Sequence, residues 1–180
     1  MKTNLIELCH HRWILPILAE LHRQNGGSKF VTLINRLQLS RDSLSRTLNQ
    51  MQTLELITRN TVYAHPLRPE YILTAHTKAL AASAFTLMQQ LEPQDTLLNK
   101  WALPTIQALQ QQTRFSRLLE VLPNITSRAL TMTLKDLKQG GYVWHLQREY
   151  KLTKQGEALA NAIQQLETAL IQSNKPLEVN

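Results

Sequence analysis

Apolar positions along the chain follow two periods, and their order predicts the secondary structure. Between residues 13 and 21, apolar side chains recur every three or four residues, which is typical of a helix with one buried face. Similar spacing predicts a short helix at 30–37 and then a third helix, whose buried stripe is Leu44, Leu48 and Met51. After this third helix the period falls to two, which predicts a two-stranded hairpin before a closing helix.

This series of elements occurs twice along the chain. The segment EYILTAHTKAL at 70–80 returns as EYKLTKQGEAL at 149–159, with six of the eleven positions identical. Upstream, RWILPILAEL at 12–21 returns as KWALPTIQAL at 100–109. Internal repetition of this kind indicates a tandem duplication.

The two copies stay in register outside short gaps. The offset between them is 88 residues at the Trp, 85 or 86 in the middle and 79 at the Tyr, so the length differences fall between elements, where loops absorb them. We therefore predict two domains, at 1–95 and 96–172, followed by a flexible tail at 173–180.

Several side chains have predicted structural roles at equivalent places in the two copies. Ser40 and Thr126 are candidate N-caps of the third helices, because their hydroxyls can accept the free amide hydrogens of a first turn. Thr74 and Thr153 are predicted to cap the closing helices in the same way. The Trp residues are expected to pack in the core: Trp13, Trp101 and Trp144.

Charge favours a polyanionic partner. Lys and Arg outnumber Asp and Glu by 20 to 13, which gives a net charge of +7. The polar faces of the predicted third helices contain Arg, Lys and hydroxyl or amide side chains, and we expect them to be free of acidic residues. These candidate residues are Arg41, Ser45, Arg46 and Asn49 in copy one, and Ser127, Arg128, Thr131 and Lys135 in copy two.

Three helices, a hairpin and a closing helix describe a winged helix-turn-helix. Both copies resemble the HxlR group of MarR-like bacterial transcription regulators. Copy one carries the resemblance in KFVTL, LSRDSLSRTL and HPLRPEYILT; copy two carries it in KWALP, RFSRLLEVLPNITSRALTMTL and EYKLT. The expected fold class is mainly α with small β-hairpin wings, arranged as a tandem winged helix-turn-helix repeat that forms a pseudo-dimer.

The resemblance implies a transcription regulator that binds double-stranded DNA. An Arg on such a helix can reach guanine, and an Asn can reach adenine, in the major groove. The wings are expected to contact phosphates or the minor groove through Arg59, His65 and Arg68 in copy one and Arg148 in copy two. A homodimer through the terminal helices is a further expectation, because the closing helices have long apolar faces.

The chain departs from that group in four respects. The group usually has one such domain per chain and pairs two chains, whereas this sequence contains two copies. The glycine common after the recognition helix is present as Gly141 but is replaced by Glu55 in copy one. Copy two has only a short wing, and Cys9 lies closer to the Trp than the group's N-terminal cysteine does.

Cys9 is the one residue with candidate redox chemistry. A thiol next to His10, His11 and Arg12 could have a lowered pKa and sense oxidants, but a lone helical cysteine is more often a packed small side chain. Consecutive residues point in different directions around a helix, so we expect no metal site. We also expect no cofactor and no enzymatic activity, because the sequence has no phosphate-binding glycine loop, triad or paired carboxylates.

Three functions from different classes follow. The first is a cytoplasmic regulator that binds DNA with two fused heads; no apolar run is long enough to cross a membrane. The second is a protein-interaction module, because tandem winged helices also bind polypeptides in chromosome-segregation complexes. The third is a regulator whose DNA binding is controlled by oxidation of Cys9.

Overall fold

The computed structural model describes residues 4–60, 70–91 and 96–174. Within these residues the chain is mainly helical, has two small antiparallel sheets and repeats one succession of elements, so the predicted fold class is confirmed. The predicted boundary after residue 95 stays a prediction, because residues 92–95 lie outside the described residues. The predicted tail also stays a prediction: the last helix ends at Ser173, and residues 175–180 are likewise outside the described part.

Copy one begins with two helices that a turn at 11–13 separates. Its elements in chain order are α1 (Leu5–His10), α2 (Ile14–Arg23), β1 (Gly27–Lys29), α3 (Phe30–Leu37), α4 (Arg41–Thr53), β2 (Ile57–Arg59), β3 (Glu70–Leu73), a 3-10 helix (Ala75–Thr77) and α5 (Lys78–Met88).

Copy two repeats this order with a shorter start and a shorter wing. Its elements are a 3-10 helix (Thr96–Leu98), α6 (Ala102–Leu109), α7 (Phe115–Val121), α8 (Ser127–Gln139), β4 (Val143–Leu146), β5 (Glu149–Leu152) and α9 (Lys154–Ser173). The predicted third helices are therefore α4 and α8.

The helix-turn-helix of each copy is built by the same local signals. Ser40 accepts a hydrogen bond from the amide of Ser43 at 3.2 Å, and Thr126 accepts one from the amide of Ala129 at 3.1 Å, so both predicted N-caps are confirmed. The turn before each cap passes through the left-handed region, with φ of 52° at Gln38 and 64° at Asn124. The predicted stripes below are buried: Leu44, Leu48, Met51, Leu130, Leu134 and Leu137.

The sheet of copy one has three strands where the sequence predicted two. In the order β1-β3-β2, β3 pairs on one edge with Gly27–Lys29 and on the other with Ile57–Arg59. Copy two has the two-stranded sheet β4-β5, and an isolated bridge joins Arg114 to Glu149. This bridge corresponds to the Lys29–Glu70 pair of copy one, so the third strand of copy two is reduced to one residue.

The two predicted closing caps differ. Thr153 accepts a hydrogen bond from the amide of Gly156 and caps α9 as predicted. Thr74 makes no such bond; its hydroxyl bonds the carbonyl of Glu55 at 2.9 Å and the hydroxyl of Thr77 at 2.7 Å. Thr77 is at the position equivalent to Gly156. In copy two the backbone amide of Gly156 bonds the hydroxyl of Thr153, whereas in copy one the buried side chain of Thr77 bonds the hydroxyl of Thr74.

The tryptophans are more exposed than the sequence analysis predicted. Trp13 and Trp101 are half-buried at the start of α2 and α6, each with a cation over its ring: Arg12 at 5.2 Å and Lys100 at 4.8 Å. Trp144 is 40% exposed, so the prediction that it packs in the core is wrong. It lies on the open face of a two-stranded sheet, where Lys151 stands 5.7 Å from its ring.

The two copies pack against each other through their closing helices. Helix α5 contacts α2 of its own copy and α9 of the other copy, while α1 contacts α6. Equivalent side chains of the two closing helices are buried in one continuous core: Leu80, Ala84 and Leu87 with Leu159, Ile163 and Leu166. The apolar faces seen in the sequence are therefore covered within one chain.

The residue two places after each third helix has a positive φ, of 57° at Glu55 and 77° at Gly141. A side chain in this left-handed region is strained by roughly 1–2 kcal/mol, whereas glycine is not. The glycine that the resemblance implies at this position thus has a physical reason. Copy two has it as Gly141, whereas copy one has Glu55 in the same backbone conformation.

We predict that Glu55→Gly raises the free energy of unfolding by about 1 kcal/mol, because it removes this strain. The reciprocal change, Gly141→Ala, should lower it by about 1–2 kcal/mol, since a Cβ at Gly141 would meet only Gln155 Oε1, at 3.7 Å, and the cost comes from the backbone. Urea denaturation measures both. Glu120→Gly, inside α7, is the control and should lower stability by about 1 kcal/mol. If Glu55→Gly and Glu120→Gly lowered the free energy of unfolding equally, the strain argument would be wrong.

Candidate nucleic-acid interface

Helix α4 presents its polar candidates to solvent. With Leu44, Leu48 and Met51 in the core, the opposite face is exposed and contains the four predicted residues, Arg41, Ser45, Arg46 and Asn49. Arg46 Nε donates to the backbone carbonyl of Asp42 at 3.3 Å, so this guanidinium lies back toward the first turn of the helix. The face combines two guanidinium groups with a hydroxyl and an amide.

Helix α8 has the same arrangement with different side chains. Its four predicted residues, Ser127, Arg128, Thr131 and Lys135, are all exposed. The Thr131 hydroxyl donates to the carbonyl of Ser127 at 2.8 Å, so its oxygen can still accept a hydrogen bond from a partner. The two cations of this face, Arg128 and Lys135, are seven residues apart along α8.

Two residues of these faces, Asp42 and Met132, were not among the candidates predicted from the sequence. Position by position, with an offset of 86, Asp42 corresponds to Arg128 and Arg46 to Met132. Asp42 is exposed, and at about 100° per residue it lies between Ser45 and Arg46 around the helix, so the expectation of an acid-free face is wrong for copy one. Met132 is 50% exposed in the middle of the other face. Alignment of the copies over the third helix alone would have shown both.

The acidic residue has a structural reason. Asp42 lies in the first turn of α4, where a carboxylate interacts favourably with the partial positive charge of the helix N-terminus. In copy two the first turn has no acidic residue. The faces of α4 and α8 thus have opposite charges at the equivalent positions Asp42 and Arg128, and α8 has Met132 where α4 has Arg46.

The wing of copy one is described only in part. Arg59 is exposed at the end of β2, with its guanidinium 5.7 Å from the centre of the Tyr71 ring. His65 and Arg68 lie in 61–69, outside the described residues, and their roles stay predictions.

The wing of copy two is a tight hairpin. Strands β4 and β5 pair from Val143–Leu152 to Leu146–Glu149, so only Gln147 and Arg148 form the turn. Both have positive φ, 49° and 70°, as a two-residue hairpin loop that matches the strand twist requires. Arg148 is exposed at the tip, and on one strand face the ring of His145 stacks on Tyr150 at 4.3 Å. The short wing that the sequence predicts for copy two is confirmed.

Cys9 is buried in the junction between the copies. Its side chain is 5% exposed, and burial, with a smaller contribution from Glu167, raises the pKa of its thiol to about 12. The position 88 residues later is the buried Leu97, so copy two fills this place with an apolar side chain. A protonated, inaccessible thiol is a poor reductant, which favours the packing role over redox sensing.

We predict that Cys9 reacts with a thiol reagent such as DTNB at least about a hundredfold more slowly at pH 8 in the folded protein than in guanidinium chloride, because burial suppresses the thiolate. Cys9→Ala should leave DNA affinity unchanged, with or without peroxide. Rapid labelling of the folded protein, or peroxide-dependent loss of DNA binding that disappears in Cys9→Ala, would restore the sensor hypothesis.

The described residues contain no cluster of three potential metal-ligating side chains. Among the same residues, no helix combines the length and apolarity required to cross a bilayer.

Two repeated units, each with a capped third helix after a left-handed turn and an antiparallel wing, define a tandem winged helix-turn-helix protein. The family model of the HxlR-like helix-turn-helix matches the chain twice, over residues 8–94 and 96–176. The chain therefore belongs to the HxlR-like helix-turn-helix family, as the sequence resemblance predicted. Comparison with curated proteins and with solved structures gave no match.

Proposed function

We propose that the chain is a transcription regulator that binds duplex DNA through α4 and α8, with the wings beside them. Family membership indicates a DNA-binding regulator. The observation that supports the finer proposal is the paired arrangement of α4 and α8: equivalent N-caps, equivalent buried stripes and exposed faces with cationic and hydrogen-bonding side chains on both copies. Such helices fit the major groove of B-DNA.

The proposed contacts divide into two kinds. Base edges would be read by Arg46, Asn49 and Arg128, whose groups can donate to purine acceptors, while Ser45, Ser127 and Thr131 would complete the faces. Phosphates would be contacted by Arg41, Lys135 and the wing residues Arg59 and Arg148. His65 and Arg68 belong to the same proposal from the sequence alone.

A single chain is the proposed functional unit, with domains at 1–95 and 96–172. The contact between α5 and α9 within the chain supports this, because it covers the apolar faces that would otherwise pair two chains. A homodimer through the terminal helices is the alternative outcome, and the mass of the free protein measured by light scattering separates the two.

We expect the purified protein to bind random duplex DNA with a log-log salt slope of about −5, which corresponds to roughly six neutralised phosphates. On random DNA, Arg46 and Arg128 have no preferred base to read and can contact phosphates instead. Six cationic candidates are then described and exposed: Arg41, Arg46, Arg59, Arg128, Lys135 and Arg148. Replacing Lys135 by Ala should reduce the slope by about one. Lys78→Ala removes an exposed charge from α5 and serves as the control with an unchanged slope. Folded protein without measurable affinity at about 50 mM salt would favour the protein-interaction module.

The preferred site is expected to be asymmetric. Arg46 and Met132 stand at equivalent positions, as do Asp42 and Arg128, so the two helices cannot favour the same bases. Arg46→Ala should weaken specific binding by about 1–3 kcal/mol if Arg46 reads a base, and Arg128→Ala should cost less, because copy one has the longer wing segment.

Selection of sites from a random duplex pool measures this directly. Met132→Arg is the matched variant, because it gives copy two the side chain of copy one at that position and should shift the sequence preference of one half-site only. Enrichment of a perfect palindrome by the unmodified protein would instead mean that two chains pair and that one copy of each contacts DNA.

A further inference from the structure

A cavity of about 420 Å³ lies where the two copies meet. Its walls come from α1 of copy one, from α6 and α9 of copy two, and from the residues at the end of α7. Most of the wall is apolar, and Val121, which is 47% exposed, forms part of it. The volume suits a small organic molecule.

A hydrogen-bonded cluster lies on the α6–α9 side of the cavity. Gln107 Nε2 donates to Gln164 Oε1 and to Glu167 Oε2, both at 2.7 Å. Gln107 Oε1 is buried and has no hydrogen-bond partner in the described part of the chain. Both Gln107 and Glu167 line the cavity, so the cluster places a carboxylate and an amide oxygen without a partner at its wall.

Within residues 4–60, 70–91 and 96–174, the carboxylate of Glu167 has no cationic partner. The ion pairs among the described residues are Arg23–Glu20, Arg117–Glu120 and Lys151–Glu149. Glu167 is partly buried, and this burial raises its pKa, against which the hydrogen bond from Gln107 acts only in part. A partly desolvated carboxylate without a counter-ion is costly unless a ligand supplies the positive charge.

The equivalent groove of copy one is built differently. There a smaller cavity of about 240 Å³ is lined by Pro16, Ala19 and Met88, which correspond to Pro104, Gln107 and Glu167 at offsets of 88 and 79. Copy one also has its own ion pair in this groove: Arg23 Nη2 lies 2.7 Å from Glu20 Oε1. The fold therefore does not require an unpaired carboxylate at this place, because the carboxylate in the groove of copy one is paired with Arg23.

We propose that the cavity of copy two is a binding site for a small organic cation, an amine with an apolar body. The ammonium group would supply the counter-charge that Glu167 lacks among the described residues, and it would donate to Gln107 Oε1, which has no hydrogen-bond partner there. The apolar body would lie against Pro104, Ala108 and Val121. An anion would be repelled by Glu167, and a neutral ligand would leave its charge uncompensated.

The position of the cavity connects it to α8. Three residues of its wall, Val121, Leu122 and Pro123, lie three to five positions before Thr126, the N-cap of α8, and α1 of copy one forms another part of the wall. A ligand between these walls would bias how the helix-turn-helix of copy two is placed relative to copy one. This regulatory consequence, unlike the binding itself, rests on the proposed DNA binding.

The test measures binding to the full chain without DNA, by calorimetry and by amide chemical-shift perturbation. The probes are benzylamine, phenethylamine, cyclohexylamine and benzamidine, each compared with a neutral alcohol or amide and with a carboxylate of the same size. We expect at least one amine to bind with shifts at residues around Gln107 and Val121, and its neutral and anionic counterparts to bind about tenfold more weakly or not at all.

Two variants locate the charge. Glu167→Gln should weaken amine binding by about tenfold or more, and Glu167→Met, which reproduces the side chain of copy one, should abolish the preference for amines. Glu157→Gln removes an exposed carboxylate from the same helix and should change nothing. Thermal unfolding of each variant checks that the fold is intact.

Failure of every amine to bind up to about 10 mM, equal binding of amines and alcohols, or amine binding that survives Glu167→Gln would each overturn the proposal. Once salt titration has established DNA binding, the bound amine should change the DNA affinity, and DNA should change the amine affinity by the same factor. If amine binding is established and the DNA affinity stays constant, the site stands and its regulatory role is wrong.

Discussion

The packing of α5 against α9 is the contact on which the rest of the arrangement depends. Each unit alone has about 80 to 90 residues and a small core, and a helix with an apolar face must bury that face against another element. Here the closing helices meet inside one chain, so the cores of the two copies become a single cluster. The helix-turn-helix units are attached on either side of it, and their separation is set by side-chain packing rather than by a flexible linker.

Within that frame, the two copies have kept their scaffold and changed their surfaces. The N-caps, the left-handed turns at Gln38 and Asn124 and the leucines below α4 and α8 coincide, because each satisfies a backbone or packing requirement of the fold. The exposed positions differ, including a charge reversal between Asp42 and Arg128. The same contrast holds in the grooves beside the closing helices. The carboxylate in the groove of copy one, Glu20, is paired with Arg23, whereas Glu167 in the groove of copy two has no cationic partner among the described residues.

The sequence predicted the elements whose cause is local. Helix α3 and the caps at Ser40, Thr126 and Thr153 could be found because spacing and cap chemistry act within a few residues. Strand β1 could not be found: Gly27–Lys29 is too short to show alternation, and it is a strand only because β3 offers it an edge. Trp144 was misplaced because burial depends on whether a second layer covers a strand. The cluster around Gln107 required α6 and α9 to meet, which no single segment predicts.

The short passage between the copies has a consequence for dosage. Seven residues, 89–95, separate the end of α5 from the proposed boundary. If one chain is the functional unit, as we propose, its two heads would arrive at a target together and need no encounter in solution. In a regulator that assembles from two chains, the amount of active species falls with the square of concentration once the pair dissociates. Under the proposed function, a chain that contains both heads would not depend on concentration for its assembly. Its occupancy would fall only in proportion to its copy number, so that even a few molecules per cell would remain fully assembled.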